Sequence, residues 1–78
     1  EPDRDIHLYP NPVDNMLYIL GKNEMTYLAI LDIQGRKIAE YFPNSINTSI
    51  HTDNLKSGIY LVQIYSERKT HTYKIIKN

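Results

Sequence analysis

Apolar residues in this chain come in short runs separated by Gly, Pro, Asn, Asp and Ser. Runs of that length, with turn signals roughly every 8 to 12 residues, are the pattern of an all-β sandwich. The first predicted strand is Ile6 to Tyr9, and Pro10 and Pro12 end it by bracketing Asn11, removing two backbone donors and fixing two φ angles. Met16 to Leu20 is the next run, stopped by Gly21, and Tyr27 to Asp32 follows. Both are apolar at nearly every position, so each face is expected to be partly covered. Periodicity alone admits a short buried helix, and the flanking Gly and Pro together with the tyrosines favour strands. Gly35 lies where a hairpin loop needs a positive φ, which predicts a type I turn with a bulge and a return strand from Lys37 to Phe42.

Beyond the break at Pro43-Asn44-Ser45, Asn47 to His51 reads as a short edge strand, with Ile46 and Ile50 too far apart for dense core packing. Thr52 to Ser57 is rich in turn residues, and its one apolar side chain, Leu55, is expected to plug the open end of the sandwich. Ile59 to Tyr65 is the best candidate for a central strand, with Tyr60, Val62 and Ile64 on one face and Ile59 and Leu61 on the other. A polar four-residue loop, Ser66 to Lys69, leads to a last antiparallel strand, Thr70 to Lys77, with Tyr73 and Ile75 inward. The sum is a small immunoglobulin-like antiparallel β-sandwich of about seven strands. Residues 1–5, charged and carrying Pro2, read as a linker entering the domain, and 6–78 as the domain.

Composition narrows the partners. At 78 residues one core is all the chain can build. Nine basic and nine acidic residues cancel, at a pI of about 7.1, leaving no net field to attract nucleic acid. No apolar run reaches the roughly 20 residues of a membrane-spanning helix, so no membrane span is expected. With no cysteine there are no disulfides, thiolate nucleophiles or zinc-thiolate sites, and β packing alone must hold the fold.

Reactive constellations are hard to assemble from what remains. His7, His51 and His71 are isolated in sequence, and a metal site needs three or four converging ligands. Asp32, Glu40 and Asp53 have no evident acid–base partner. The serines lie in turn-like or edge segments without a nucleophile elbow, and the three glycines mark separate turns instead of a phosphate loop. The expectation is a domain that is not an enzyme, takes no cofactor and no metal, and is read by other proteins. The acceptor pattern Asn47-Thr48-Ser49 is too short and frequent to carry weight.

Four motifs in order make that reading concrete. They are Tyr9-Pro10-Asn11-Pro12 followed by Leu17-Tyr18-Ile19, then Leu28 to Arg36 with Asp32-Ile33-Gln34-Gly35, then Leu55-Lys56-Ser57-Gly58-Ile59-Tyr60-Leu61-Val62, and a final Lys74-Ile75-Ile76-Lys77. Together they resemble the C-terminal sorting domain of type IX secretion cargo in Bacteroidetes, over nearly the whole chain. The resemblance implies a cargo that passes through the periplasm and is recognised by the outer-membrane translocon and its shuttle protein. It further implies that a sortase-like protease usually removes the domain, leaving the cargo at the cell surface or secreted.

By position, the residues that the resemblance marks for recognition are Gly58, Tyr60, Val62, Lys74, Ile75, Ile76, Lys77 and Asn78, with partner contact expected at Lys74 to Asn78 partly by strand addition. Tyr9, Pro10, Asn11, Pro12 and Gly35 are expected to be structural. Exposed edges also make an edge-strand or swapped dimer conceivable. A second class of function stays open, an adhesive or carbohydrate-binding accessory module using tyrosines such as Tyr18 or Tyr41, as does a third, a plain spacer for the cargo.

Overall fold

The structure, a computed structural model, describes residues 6–78, so the linker expected over 1–5 lies outside the described residues. Six strands make up the domain: β1 (Ile6–Tyr9), β2 (Met16–Asp32), β3 (Lys37–Tyr41), β4 (Ser45–His51), β5 (Gly58–Ser66) and β6 (Lys69–Lys77). All of their pairings are antiparallel. The fold class is the one expected from the pattern. The strand count falls to six because the two runs either side of Gly21 belong to one 17-residue strand.

That long strand organises the sandwich. Its first half lies between β1 and β4, with Tyr9 opposite Tyr18 on one side and Ser49 opposite Tyr18 on the other. Its second half lies between β3 and β5, and β6 extends that layer from β5. Between Leu20 and Met25 the pairing to β4 shifts register, and between Met25 and Tyr27 so does the pairing to β5. Irregularities of this kind are how a strand turns a corner from one layer into the next. Gly21 sits at the corner, where a Cβ would come within 3.2 Å of the Asn23 carbonyl and 3.4 Å of the Ile46 carbonyl. It marks a close approach of chains and not the end of a strand.

One apolar cluster fills the space between the layers: Ile6, Leu17, Ile19 and Ile50 from one side, Met25, Leu28, Ile30, Val62, Ile64 and Ile75 from the other, with Val13 at the end. The parities expected for β5 and β6 are observed, since Val62, Ile64 and Ile75 are fully buried while Ile59 and Ile76 are exposed. Leu55 packs against the cluster as a plug. Ile50 is also core, against the expectation of sparse packing in β4, because its neighbour across the ladder is the fully buried Leu17. Tyr60 and Tyr73 are half-buried against the cluster and not at its centre.

The two hairpins solve their turns differently. Asp32 to Arg36 is the expected turn with a glycine at positive φ, Gly35 at 86°, and the ladder then skips Ile38. The β5–β6 connection is tighter than the four-residue loop expected, because Ser66 and Lys69 are already paired. Glu67 and Arg68, at φ of 52° and 64°, form the whole turn, in the left-handed conformation that matches strand twist.

Candidate functional site

The segment after β1 cannot continue as a strand. Pro10 and Pro12 have no N–H to offer a ladder, and both Tyr9–Pro10 and Asn11–Pro12 are cis. What the backbone lacks, the Asn11 side chain supplies. Its amide nitrogen donates to the Lys74 carbonyl at 3.2 Å, and its carbonyl oxygen accepts from the Ile76 N–H at 2.9 Å.

Two residues on, backbone takes over from side chain. The Val13 N–H donates to the Ile76 carbonyl at 2.7 Å, and the Asn78 N–H donates to the Val13 carbonyl at 2.9 Å, a parallel bridge. Asn11 therefore extends that parallel ladder by one step, each oxygen and nitrogen in the place a strand residue's own groups would take. The Asn78 side-chain amide donates to Asp14 Oδ1 at 2.9 Å, closing the row. Behind it, Thr52, fully buried, donates its hydroxyl to the Asp14 carbonyl at 3.0 Å and its N–H to the Asn15 carbonyl at 2.9 Å. Val13 itself is fully buried, so the row is anchored in the core.

This corrects the expectation that Lys74 to Asn78 present an open edge for strand addition. From the Lys74 carbonyl onward, the Ile76 N–H and C=O and the Asn78 N–H are already paired within the chain. In an antiparallel strand, groups facing one edge recur at every second residue, so the N–H and C=O of Thr70 and Thr72 face the same edge. They have no partner among the described residues.

The residues marked for recognition divide by exposure. Val62 and Ile75 have no exposed surface, so their contribution in the folded domain is packing. Tyr60 is half-buried, and its hydroxyl donates to the Lys56 carbonyl at 2.8 Å, tying the approach to β5 onto the sheet. Gly58 sits opposite Lys77 at the start of β5 with φ of 148°, where a Cβ would meet no atom within 4 Å. Conformation and not crowding is what demands glycine there. Lys74, Ile76 and Asn78 are exposed and Lys77 is half-exposed, its ammonium donating to the Asn78 carbonyl at 3.2 Å. Pro10, Asn11 and Pro12 are exposed beside them. Sequence reasoning named these residues individually and missed that they form one surface.

At the same end of the second layer, Asp32 caps its turn. Its Oδ1 accepts from the backbone N–H of Gln34 and of Arg36, both at 2.9 Å, and its Oδ2 accepts from Arg36 Nε at 3.0 Å. The Arg36 backbone N–H, foremost, holds the carboxyl below its ordinary range. On the outer face of that layer, hydrogen bonding to the Tyr27 hydroxyl and to Glu40 raises the Lys37 ammonium pKa, and the Lys37 ammonium lies 5.7 Å from the centre of the Tyr27 ring.

Elsewhere the surface offers shallow features. Tyr9 and Tyr18 stack at 5.6 Å beside a groove of about 330 Å³ lined also by Leu20, Asn47 and Ser49. Tyr41, the other tyrosine considered for sugar binding, is half-buried against the core. His7, His51 and His71 lie on three different strands, and among the described residues no three His, Cys, Asp or Glu side chains gather as a metal site requires. Among the described residues no helix is long and apolar enough to cross a membrane.

A compact β module that offers a surface and not a cleft is the class this geometry defines. Residues 7–78 match the family model described as the secretion system C-terminal sorting domain, and the chain belongs to that family. It is the type IX family that the four motifs resemble, and the chain accordingly carries a C-terminal sorting signal for export. No curated protein sequence matches the chain significantly.

Among solved structures it is similar to PorZ, described as an essential bacterial surface component of the type IX secretion system of Porphyromonas gingivalis. The TM-score is 0.77 at 19% identity, over 94% of this chain and 11% of PorZ. The likeness shows a shared fold, and this chain spans about a tenth of that protein's length.

Proposed function

We propose that the domain acts as a folded address on its cargo, recognised in the periplasm by the shuttle and outer-membrane translocon of the type IX system. A sortase-like protease then cuts upstream of the domain, and the cargo ends at the cell surface or in the medium. The observation that carries this reading is the way the end of β6 is held, ordered and side-chain-outward, in a chain that belongs to the sorting family. Gly58, Lys74, Ile76, Lys77 and Asn78 are the contact residues in this reading, while Tyr60, Val62 and Ile75 hold the strands beneath them.

A reporter with a periplasmic leader, fused to residues 1–78 and expressed in a Bacteroidetes host with a working type IX system, tests it. The fusion should appear outside the outer membrane, and the leader-only reporter should stay in the periplasm. Equal retention of both, with the fusion shown to be folded, would contradict the sorting role. Truncation at Tyr73 is a poor substitute, because it removes the buried Ile75 and the groups of Lys74, Ile76 and Asn78 that hydrogen-bond Asn11 and Val13.

The Tyr9–Tyr18 groove, with Asn47 and Ser49 at its side, favours one second reading, a sugar-binding module. A glycan array binding that Tyr18→Ala abolishes would support it. Its absence, together with export of the fusion, would dispose of it.

A further inference from the structure

We propose that the secretion machinery reads a composite surface, built from the Pro10-Asn11-Pro12 segment together with the exposed side chains of Lys74, Ile76, Lys77 and Asn78, and that the partner's facing surface is acidic. The inference rests on the sorting reading above and says which surface of the fold serves it. It departs from the view that the last strand is the signal and the proline segment merely a turn.

Three observations carry it. The backbone edge from the Lys74 carbonyl to the Asn78 N–H is taken up by Asn11 and Val13, so a partner approaching there meets chiefly side chains. The segment consuming it is itself exposed at Pro10, Asn11 and Pro12, so any contact broad enough to cover the end of β6 also covers those residues. The charge has a positive excess: Lys74 and Lys77 stand at this end against Asp14, the carboxylate in the row, which accepts from the neutral Asn78 amide and keeps its charge. Complementary charge on the partner would steer encounter and fix orientation.

Asn11 is then a positioning residue, since its amide sets where Lys74 and Ile76 stand relative to the proline segment. Its contribution to fold stability has to be separated from recognition, and the β5–β6 turn at the far end of the hairpin provides the means. Glu67→Asn with Arg68→Gly puts preferred residues into the two left-handed turn positions and should raise the melting temperature without touching this surface.

The test is export of the same leader–reporter–domain fusion in the type IX host, read as the fraction outside the cell, with melting temperatures measured on the isolated domains. In the turn-stabilised background, Asn11→Ala matched to the wild-type melting temperature should still lower export at least five-fold. Lys74→Glu with Lys77→Glu should lower it further than Lys74→Gln with Lys77→Gln. Recovery of export once stability is restored would overturn the composite surface, as would export of the Asn11→Ala fusion at the wild-type level. Charge reversal without effect would overturn the acidic partner. If the wild-type fusion itself is retained, the sorting reading fails, and this inference fails with it.

Discussion

The two ends of β6 are held in opposite ways. At its start the strand is joined to its sequence neighbour through a two-residue turn whose residues are both charged and both left-handed. At its finish it is tied across 63 to 65 residues of sequence to the segment after β1, by a side chain posing as backbone and then by backbone itself. Local closure costs little chain entropy, whereas the far closure brings together the opposite ends of the domain.

Breaking the long-range end from beneath should have the largest effect. Ile75→Ala removes a fully buried side chain from the core under the row and should cost about 2–5 kcal/mol. In a domain this small, whose whole stability is of the order of 5–15 kcal/mol, urea titration should show a sharply lowered midpoint or outright unfolding.

Breaking the row from outside is gentler. Asn11→Ala deletes two solvent-facing hydrogen bonds and should cost about 1–2 kcal/mol by the same titration. A loss as large as that of Ile75→Ala would show that the row and not the core holds β6.

At the tip the sign reverses. Glu67→Asn with Arg68→Gly should stabilise by about 1 kcal/mol, because residues that favour left-handed backbone replace two that do not. A destabilised variant would show that those two side chains make a contribution the turn geometry does not explain.

The smallest effect belongs to pH. The Asp32 carboxyl is held below its ordinary value of 3.8, chiefly by the Arg36 backbone N–H, so the folded state favours the charged form. Its contribution is fully present above the unfolded value and is lost as pH falls through the lowered folded one. The difference in melting temperature between wild type and Asp32→Asn should therefore be constant above about pH 5 and shrink below the ordinary carboxyl range.

Much of this was legible in the chain. Alternation in Ile59 to Tyr65 put Val62 and Ile64 on one face and Ile59 on the other, and the structure shows that the first face is the core and that Ile59 is exposed. Gly35 disclosed its turn because few other residues take that φ without strain. The continuity of β2 was hidden. Lys22, Asn23 and Glu24 look like a loop, and the strand runs on through them with Met25 paired to Ser45 and Ser66 and the Ser66 hydroxyl donating to the Glu24 carbonyl.

The row at the end of β6 was hidden for a related reason. It depends on an asparagine side chain substituting for backbone at a distance, which no local pattern encodes. The available clue was a polar residue able both to donate and to accept, fixed between two prolines that cannot donate.

Hydrogen exchange of the β6 amides, followed residue by residue by NMR, tests the paired edge most directly. The Ile76 and Asn78 amides should be protected well above those of Thr70 and Thr72, which face the same edge without a partner among the described residues, and Asn11→Ala should release Ile76 while leaving Tyr73 and Ile75 protected through β5. Equal, fast exchange at Thr70, Thr72, Ile76 and Asn78 would mean that the end of β6 is open in solution, and would return strand addition to first place as the mode of recognition.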